Sequence, residues 1–329
     1  IMTKKRFFGI TTFIFAFTFL LITTISSIAG DLNVIGHRGA AGLLPENTMV
    51  GFQKAIEIGV DTIELDIHLT SDNEPVVYHD SRLNPAITRN ANGKWVKEKH
   101  LIKELALSEV QSYDVGKLNR WKGYAKKYPN QKAAEGERIP TLSDVIQLVK
   151  RTGNKTHLFI ELKYSPLKPE ETKPREEIAN VVAKIIKDEN IAERVSVISV
   201  DWKILMYFQT IMPDVPTGYV TITKKDRDTV KKKKPGASPW MGGIDIDEFE
   251  SIPEAVKSAG GTYWVTNYYH AIGHRKNITS KIVKKAHATG IKVIVLTPDK
   301  KSDMKNLIKK GVDGITTNRP DILLSLLKR

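Results

Sequence analysis

The segment from Glu64 to Asp80, ELDIHLTSDNEPVVYHD, concentrates residue types that can do chemistry. Glu64, Asp66 and His68 alternate with apolar residues, and this two-residue period is typical of a β-strand. Because successive side chains of a strand point to opposite faces, the two carboxylates and the imidazole share one face. Neighbouring carboxylates repel each other and are costly to bury unpaired. The spacing therefore predicts a positive partner beside them.

A second pair of charged residues, Glu161 and Lys163, also lies two positions apart in a strand-like segment. Together Glu64, Asp66 and Glu161 offer carboxylate oxygens, the ligands that hard cations prefer. Surface salt bridges with the abundant Lys and Arg are the alternative, but a third acid on a neighbouring strand favours a metal. We predict one divalent cation, Ca²⁺ or Mg²⁺, at these three acids. His68 is expected to lie outside the ligand set.

Two of the eight histidines, His37 and His79, each end a hydrophobic run beside a charged residue. A pair of imidazoles flanking a metal suits general acid–base catalysis near neutral pH, whereas two histidines at the edge of a core are the alternative. Arg38 and Lys163 add positive charge suited to an anionic phosphoryl oxygen. The residues thus predict metal-assisted cleavage of a phosphate ester. The sequence contains no P-loop, G-x-G-x-x-G turn or G-x-S-x-G elbow, which argues against nucleotide binding and serine-hydrolase chemistry.

Strand-like and helix-like segments alternate from residue 32 onwards. Predicted strands cover 32–37, 61–69, 157–164, 194–201, 216–222, 262–268, 291–297 and 314–318, with a short extra run at 74–80. Predicted helices cover 46–59, 141–152, 175–188, 202–212, 252–259, 278–289 and 300–310. Such repeats predict a (β/α)₈ TIM barrel, with a doubly wound open sheet as the alternative. In a barrel, residues that do chemistry lie at the carboxyl ends of the strands.

The alternation breaks down between Ser81 and Pro140, in a polar segment rich in Lys and Asn. This segment is too long for an ordinary loop. We therefore predict a small insertion after strand 2, covering about residues 81–140, with some helix around 103–113. We expect it to cap the mouth of the barrel and to influence which substrate is accepted.

The first 29 residues have the character of a signal peptide. Basic residues at positions 4–6 precede a long apolar run, and Ser27 and Ala29 are small residues that suit cleavage after Ala29. An uncleaved membrane anchor is the alternative. The barrel is then expected to occupy residues 30–329 of an exported protein, periplasmic or secreted. The sequence has no Cys, which excludes disulfides, a thiol nucleophile and a thiolate metal site.

The chain is basic, with 51 Lys and Arg against 37 Asp and Glu. Such charge attracts nucleic acid or anionic lipid head groups. We expect no nucleic-acid partner, because no matching motif or basic stripe studded with aromatic residues is present. The densest lysine cluster, at 231–234, is expected to be a solvated loop. A weak contact with an anionic membrane surface is a secondary expectation.

Four segments, HRGAAGLLPENT, ELDIHLTSDNEPVVYHD, FIELK and GVDGITTNRP, together resemble the glycerophosphodiester phosphodiesterase family over essentially the whole predicted mature chain. The resemblance implies a barrel enzyme that hydrolyses a small-molecule glycerophosphodiester to sn-glycerol 3-phosphate and an alcohol, through a cyclic phosphate. The implied residues are the metal ligands Glu64, Asp66 and Glu161, the base His37 and the acid His79, the phosphate contacts Arg38 and Lys163, and the positional Glu46 and Asn47.

The sequence departs from the family pattern in two places. Leu296 and Pro298-Asp299 stand where members often have W-T-V-N, and Asn318 stands where an Asp is frequent. We expect both departures to affect the wall of the substrate site. Two other functions stay open: a phospholipase acting on intact lipid, and a non-catalytic member that captures glycerol phosphates. The second should have lost a histidine or a ligand, and none is missing.

Overall fold

The structure is a computed structural model that describes residues 32–98, 100–153, 155–224, 227–234, 236–268 and 278–329. In these residues eight parallel strands form a closed barrel, because the last strand pairs with the first. In spatial order the strands are β1 (Asn33–Gly36), β2 (Thr62–Leu69), β4 (His157–Leu162), β5 (Val195–Ser199), β6 (Thr217–Thr221), β7 (Tyr263–Asn267), β8 (Lys292–Leu296) and β9 (Gly314–Thr317). A short strand, β3 (Pro75–Val77), pairs antiparallel with β2. The predicted barrel is confirmed, and the open-sheet alternative is wrong.

Helices connect the strands and share a core with their outer faces. They are α1 (Met49–Glu57), α3 (Leu142–Arg151), α4 (Arg175–Asp188), α5 (Trp202–Ile211), α6 (Ile252–Ser258), α7 (Ser280–Ala288), α8 (Lys301–Lys310) and α9 (Pro320–Leu327). Thr48 caps α1 by accepting from the Gly51 amide. Thr141 and Asp144 form a reciprocal cap at the start of α3.

The register between β2 and β4 fixes which side chains meet. Asp66 pairs with Glu161, and in-register residues of parallel strands point to the same face. The intervening residues Ile63 and Leu65 face the helices and join the main core. Inside the barrel a separate apolar cluster includes Phe159 and other alternating strand residues. The period of two therefore separates an outer apolar face from an inner face that carries acids at its carboxyl end.

The segment predicted as an insertion folds around a small core of its own. Val76 and Tyr78 pack there against Leu83, Val110 and further apolar residues of 81–140. The helical character expected around 103–113 is confirmed as two short pieces, a 3₁₀ turn (Ile102–Glu104) and a single-turn helix, α2 (Leu107–Val110). Leu105 between them is extended, because its carbonyl accepts from the Ser71 amide of the neighbouring hairpin.

Two further predictions concern residues 1–29 and the lysine cluster at 231–234. The predicted signal peptide, residues 1–29, lies outside the described residues. Among the helices that are described, none combines the length and apolar character needed to cross a membrane. The lysines at 232–234 are exposed in an irregular segment, as expected for a solvated loop.

Candidate active site

The residues predicted to do chemistry meet at the carboxyl end of the barrel. They are His37 and Arg38 after β1, Glu64 and Asp66 on β2, His79 after β3, Glu161 on β4 and Lys163 after β4. Neighbouring parallel strands carry their carboxyl ends to one edge, so residues that are distant in sequence come together. The structure brings all seven to one mouth, through the contacts that follow.

Three carboxylates form the centre of this site. One oxygen from each of Glu64, Asp66 and Glu161 lies within 4.8 Å of the other two. Glu64 and Asp66 are 3% and 1% exposed. Burial, followed by the charges of the two neighbouring acids, raises the pKa of Glu64 well above its usual range. A divalent cation would offset both the desolvation and the repulsion, so the donor set fits a hard metal ion.

Two cationic side chains already contact the cluster. The Lys163 ammonium lies 3.1 Å from an Asp66 oxygen and 3.0 Å from a Glu161 oxygen. Arg38 Nε lies 3.3 Å from the other Asp66 oxygen. Burial alone would raise the pKa of Asp66, but the surrounding positive charges, led by Lys163, hold it well below its usual range. Asp66 Oδ1 accepts no well-directed hydrogen bond, which leaves a lone pair for a metal.

The loop after β1 holds Arg38 in a left-handed backbone conformation, with φ 49°. Non-glycine residues seldom adopt this conformation unless their surroundings enforce it. Here the Arg38 amide donates to Glu64 Oε2 at 2.8 Å, and its carbonyl accepts from the Asn47 amide at 3.1 Å. Gly39 follows at φ 86°, where a Cβ would lie 2.8 Å from the Gly51 carbonyl carbon. The close approach of this loop to α1 therefore requires the glycine.

Glu46 and Tyr124 hold the Arg38 guanidinium. Arg38 Nη1 donates to Glu46 Oε1 at 2.6 Å and to the Tyr124 hydroxyl at 3.1 Å. The Tyr124 hydroxyl donates in turn to the second Glu46 oxygen. Asn47 Nδ2 donates to Asp66 Oδ2 at 2.9 Å. Glu46 and Asn47 thus act through Arg38 and Asp66, and Tyr124 extends from the insertion into the site.

His37 contacts the acids through one ring nitrogen and Asn318 through the other. Its Nε2 lies 3.9 Å from Glu64 Oε2, and its Nδ1 lies 2.6 Å from Asn318 Oδ1. Burial, together with the charge of Arg38, lowers the pKa of His37 to about 3. The ring is therefore neutral at physiological pH. Asn318, which was expected to affect the substrate wall, lies directly against this histidine.

His79 is held by a carboxylate. Its Nδ1 lies 2.7 Å from Asp80 Oδ1, and the second Asp80 oxygen accepts from Asn84 Nδ2 at 2.7 Å. Burial would raise the pKa of Asp80, but the hydrogen bonds from His79 and Asn84 outweigh it and hold this pKa below its usual range. Asp80 therefore remains ionised beside the ring. His68 Nε2 lies 3.3 Å from the His79 carbonyl, outside the acid cluster.

A groove of about 930 Å³ leads away from His79 and Lys163. Its further lining includes Arg82, Leu167, Lys168, Arg227 and Trp240. The Arg227 guanidinium lies 5.3 Å from the centre of the Trp240 ring, so the indole face is already occupied by a cation. The groove gives room for a molecule that extends beyond the acid cluster.

Sequence reasoning missed the partners of the two histidines and the contact of Tyr124 with Arg38. Asp80 could have been found by its adjacency to His79. Asp299 and Asn318 follow β8 and β9, so the rule for carboxyl ends of strands pointed to them without showing what they contact. Tyr124 lies in the irregular insertion, where no periodic pattern indicates a direction.

Comparisons with known proteins agree with this fold. The model of the glycerophosphoryl diester phosphodiesterase family matches residues 37–322. A glycerophosphodiester phosphodiesterase of Caldanaerobacter subterraneus subsp. tengcongensis is 30% identical over 298 residues, which cover 90% of this chain and 98% of that protein. One from Bacillus subtilis is 25% identical over 342 residues and covers 99% of both chains.

A solved structure from Silicibacter pomeroyi DSS-3, attributed to the same family, has a TM-score of 0.79 and 29% sequence identity, covering 90% of this chain and 93% of that one. The family match extends over both histidines, the three acids and the last strand of the barrel. The chain belongs to the glycerophosphoryl diester phosphodiesterase family.

Proposed function

We propose that this protein hydrolyses glycerophosphodiesters to sn-glycerol 3-phosphate and an alcohol, with the help of a divalent cation. The observation that carries the proposal is one mouth that combines three clustered carboxylates with two histidines held by different partners. Membership of the family supports the same reaction class. The groove beyond His79 offers space for the alcohol part of the substrate.

His37 is suited to act as the general base. Its Nδ1 is engaged with Asn318, so the lone pair of the neutral ring lies on Nε2, on the side of Glu64. A neutral imidazole with a free lone pair can take the proton of the glycerol hydroxyl that attacks the phosphorus. Attack by this neighbouring hydroxyl gives a cyclic phosphate, which water then opens.

His79 is suited to act as the general acid. An ionised Asp80 on Nδ1 stabilises the positive charge of the ring while it carries a second proton on Nε2. That proton can pass to the departing alkoxide. The contrast between a neutral amide behind His37 and a carboxylate behind His79 supports this assignment of base and acid.

Arg38 and Lys163 are suited to bind phosphate oxygens. Both contact Asp66 and flank the acid cluster. Glu64, Asp66 and Glu161 would hold the cation, Ca²⁺ or Mg²⁺, which when bound would polarise the phosphoryl group as a Lewis acid. Arg38 is fixed by Glu46 and Tyr124, so it meets the phosphate with little loss of side-chain freedom.

The test is hydrolysis of glycerophosphocholine by protein dialysed against a chelator, before and after Ca²⁺ or Mg²⁺ is added, with released glycerol phosphate as the readout. We expect turnover only with a cation. Glu64→Gln should lower activity by on the order of a hundredfold and reduce the metal retained after dialysis. Glu57→Gln, an exposed change on α1, is the matched control. Unchanged turnover with chelator and with Glu64→Gln would refute the metal assignment.

We also propose that the enzyme works outside the cytoplasm. The support is the basic start, apolar run and small residues of positions 1–29, together with the absence of Cys. Expression of the full chain in a bacterial host, followed by fractionation and sequencing of the mature N-terminus, tests this. Export with cleavage after Ala29 is expected, whereas an uncleaved chain in the membrane fraction would favour the anchor.

A further inference from the structure

Asp299 and Asn318 form a hydrogen-bonded pair behind His37. Asp299 lies in the loop between β8 and α8, and Asn318 directly follows β9. The backbone N–H of Asn318 donates to Asp299 Oδ1 at 2.9 Å. The side-chain Nδ2 of Asn318 donates to Asp299 Oδ2 at 2.8 Å. The Thr317 hydroxyl donates to the same carboxylate at 2.8 Å. Three donors therefore fix the carboxylate against the carboxyl end of β9.

The direction of these hydrogen bonds determines the orientation of the Asn318 amide. An ionised carboxylate only accepts, so the NH₂ group of Asn318 must face Asp299. The amide oxygen then faces His37 Nδ1, at 2.6 Å. Because that oxygen can only accept, Nδ1 must carry the hydrogen. In the neutral ring the lone pair is consequently on Nε2, which is the nitrogen 3.9 Å from Glu64.

We propose that Asp299 is a positioning residue that sets the tautomer of His37 through Asn318. The inference rests on the proposed role of His37 as general base, since only that role requires the lone pair on Nε2. The chain of contacts links two loops to β1 across the seam where the barrel closes. Without the carboxylate, the Asn318 amide can turn over and offer N–H to Nδ1. The hydrogen of the ring would then move to Nε2, and the base would be blocked.

Exchange of the two side chains tests this proposal. Asp299→Asn keeps an acceptor for the Thr317 hydroxyl and the Asn318 amide but removes the preference for one amide orientation. Asn318→Asp places a second carboxylate against Asp299. The double exchange, Asp299→Asn with Asn318→Asp, restores one acceptor towards His37 Nδ1 and one donor between the partners. Asp321→Asn, which affects an ion pair with Arg319 in the same region, is the matched control.

Two readouts separate positioning from a general structural effect. The first is kcat and KM on glycerophosphocholine, where each single variant should lose kcat by on the order of 10–100-fold with little change in KM. The second is the tautomer of His37, read from the ring ¹⁵N shifts of histidine-labelled protein and assigned by the signal lost in His37→Gln. We expect Asp299→Asn to populate the Nε2–H form. The double exchange should restore the Nδ1–H form and raise kcat above that of either single variant, most fully at alkaline pH, because a carboxylate on Nδ1 favours the protonated ring.

Unchanged kcat and an unchanged tautomer in Asp299→Asn would overturn the proposal. A double exchange as impaired as the worse single variant would also overturn it, because hydrogen-bond direction would then not be what matters. If the wild-type protein shows no turnover at all, the proposed function fails. The ¹⁵N shifts still decide whether Asp299 controls the tautomer, so the two failures are distinguishable. Circular dichroism of each variant verifies folding, and the double exchange retains the same two side chains if a single variant unfolds.

Discussion

At the scale of single residues, the two histidines are distinguished by the charge of the group that holds them. His37 Nδ1 contacts the neutral side chain of Asn318, whereas His79 Nδ1 contacts the ionised carboxylate of Asp80. An imidazole stabilised by a carboxylate favours the protonated form, and one stabilised by an amide oxygen gains less from a second proton. The arrangement divides proton removal and proton donation between two sides of the acid cluster.

This division predicts different responses to the leaving group. His79→Ala should lose on the order of 10²–10⁴-fold of activity on a choline or ethanolamine diester, because an alkoxide leaves poorly without a proton. The loss should be far smaller on a nitrophenyl diester, whose leaving group has a low pKa. His37→Ala should be poor on both substrates, since the attacking hydroxyl still needs a base. Rates on both diesters are the measurement.

The control for these variants is His287→Ala, a half-exposed histidine on α7 that pairs with Asp313 far from the mouth. It should leave both rates unchanged. If the nitrophenyl diester restores the activity of His37→Ala and not that of His79→Ala, then His37 is the acid and His79 is the base. Near-normal turnover of both variants on the alkyl diesters would end the two-histidine mechanism.

The buried carboxylate of Glu64 is suited to bind a metal ion, but it should lower the stability of the metal-free protein. Its pKa in the folded protein is raised above the unfolded value by burial and by two neighbouring acids. The stability linked to its proton is therefore complete below the ordinary Glu pKa and is lost as the pH rises towards the raised value. In metal-free protein at pH 7, Glu64→Gln should consequently raise Tm, by about 2–4 °C for each kcal/mol recovered.

The measurement is Tm from pH 4 to pH 8 in the presence of a chelator. The gain from Glu64→Gln should shrink as the pH falls towards the ordinary Glu pKa, where wild-type Glu64 is protonated. Added cation should stabilise the wild-type protein but not the variant. A variant less stable than wild type at pH 7 would show that the charge of Glu64 is already compensated by the protein.

At the scale of elements, the sequence could predict what depends on strand periodicity. Glu64 and Asp66 share a face by their spacing, and parallel register brings Glu161 beside them. The contact between His37 and Asn318 could not be predicted, because it joins residues 281 positions apart across the closing seam between β1 and β9. Register at that seam is determined by the whole barrel, which no local pattern encodes.

The insertion is the element whose interior the sequence predicted least. Some helix was expected around 103–113, and hydrogen bonds with the neighbouring hairpin limit it to two single turns. Its core includes Val76 and Tyr78, so replacing residues 81–140 with a linker would uncover apolar surface of the barrel. A substitution at one contact is therefore a sharper test of its role than deletion.

Tyr124→Phe is that substitution. It removes the hydroxyl that contacts Arg38 and Glu46 while keeping the ring packed near Tyr128. With its guanidinium less restrained, Arg38 should bind the phosphate less well, and we expect kcat/KM to fall by on the order of tenfold. Steady-state kinetics on several head groups measure this. Tyr113→Phe, elsewhere in the insertion, is the control. Equal kinetic constants in the two variants would show that the Tyr124 hydroxyl does not contribute to catalysis.

At the scale of the whole molecule, one basic segment of the insertion lies next to the mouth. Residues 117–132 contain six Lys and Arg and no acid. Trp121 in this segment is 94% exposed, whereas the nearby Tyr124 faces Arg38. An exposed Trp among lysines suits the interface of an anionic bilayer, where the ring enters the head-group region and the lysines meet the negative lipids.

We therefore expect the chain from Gly30 onwards, which contains every described strand and helix, to bind phosphatidylglycerol vesicles in low salt. Exchange of Lys122, Lys126 and Lys132 for Gln should weaken co-sedimentation by on the order of tenfold or more. The same exchange at the exposed lysines 232–234 is the matched control. Equal binding to phosphatidylcholine vesicles, or an equal loss in the control, would argue against this surface.

The two ends of the described chain lie together, at the pole of the barrel opposite the mouth. Arg329 forms an ion pair with Asp61, just before β2, and its Nη1 donates to the Leu32 carbonyl at 3.4 Å. Leu32 and Asp61 precede strands whose other ends carry the catalytic candidates. A support, label or fusion partner joined directly at residue 32 or at residue 329 would therefore sit behind the barrel. Protein immobilised in this way would turn its mouth towards the solution.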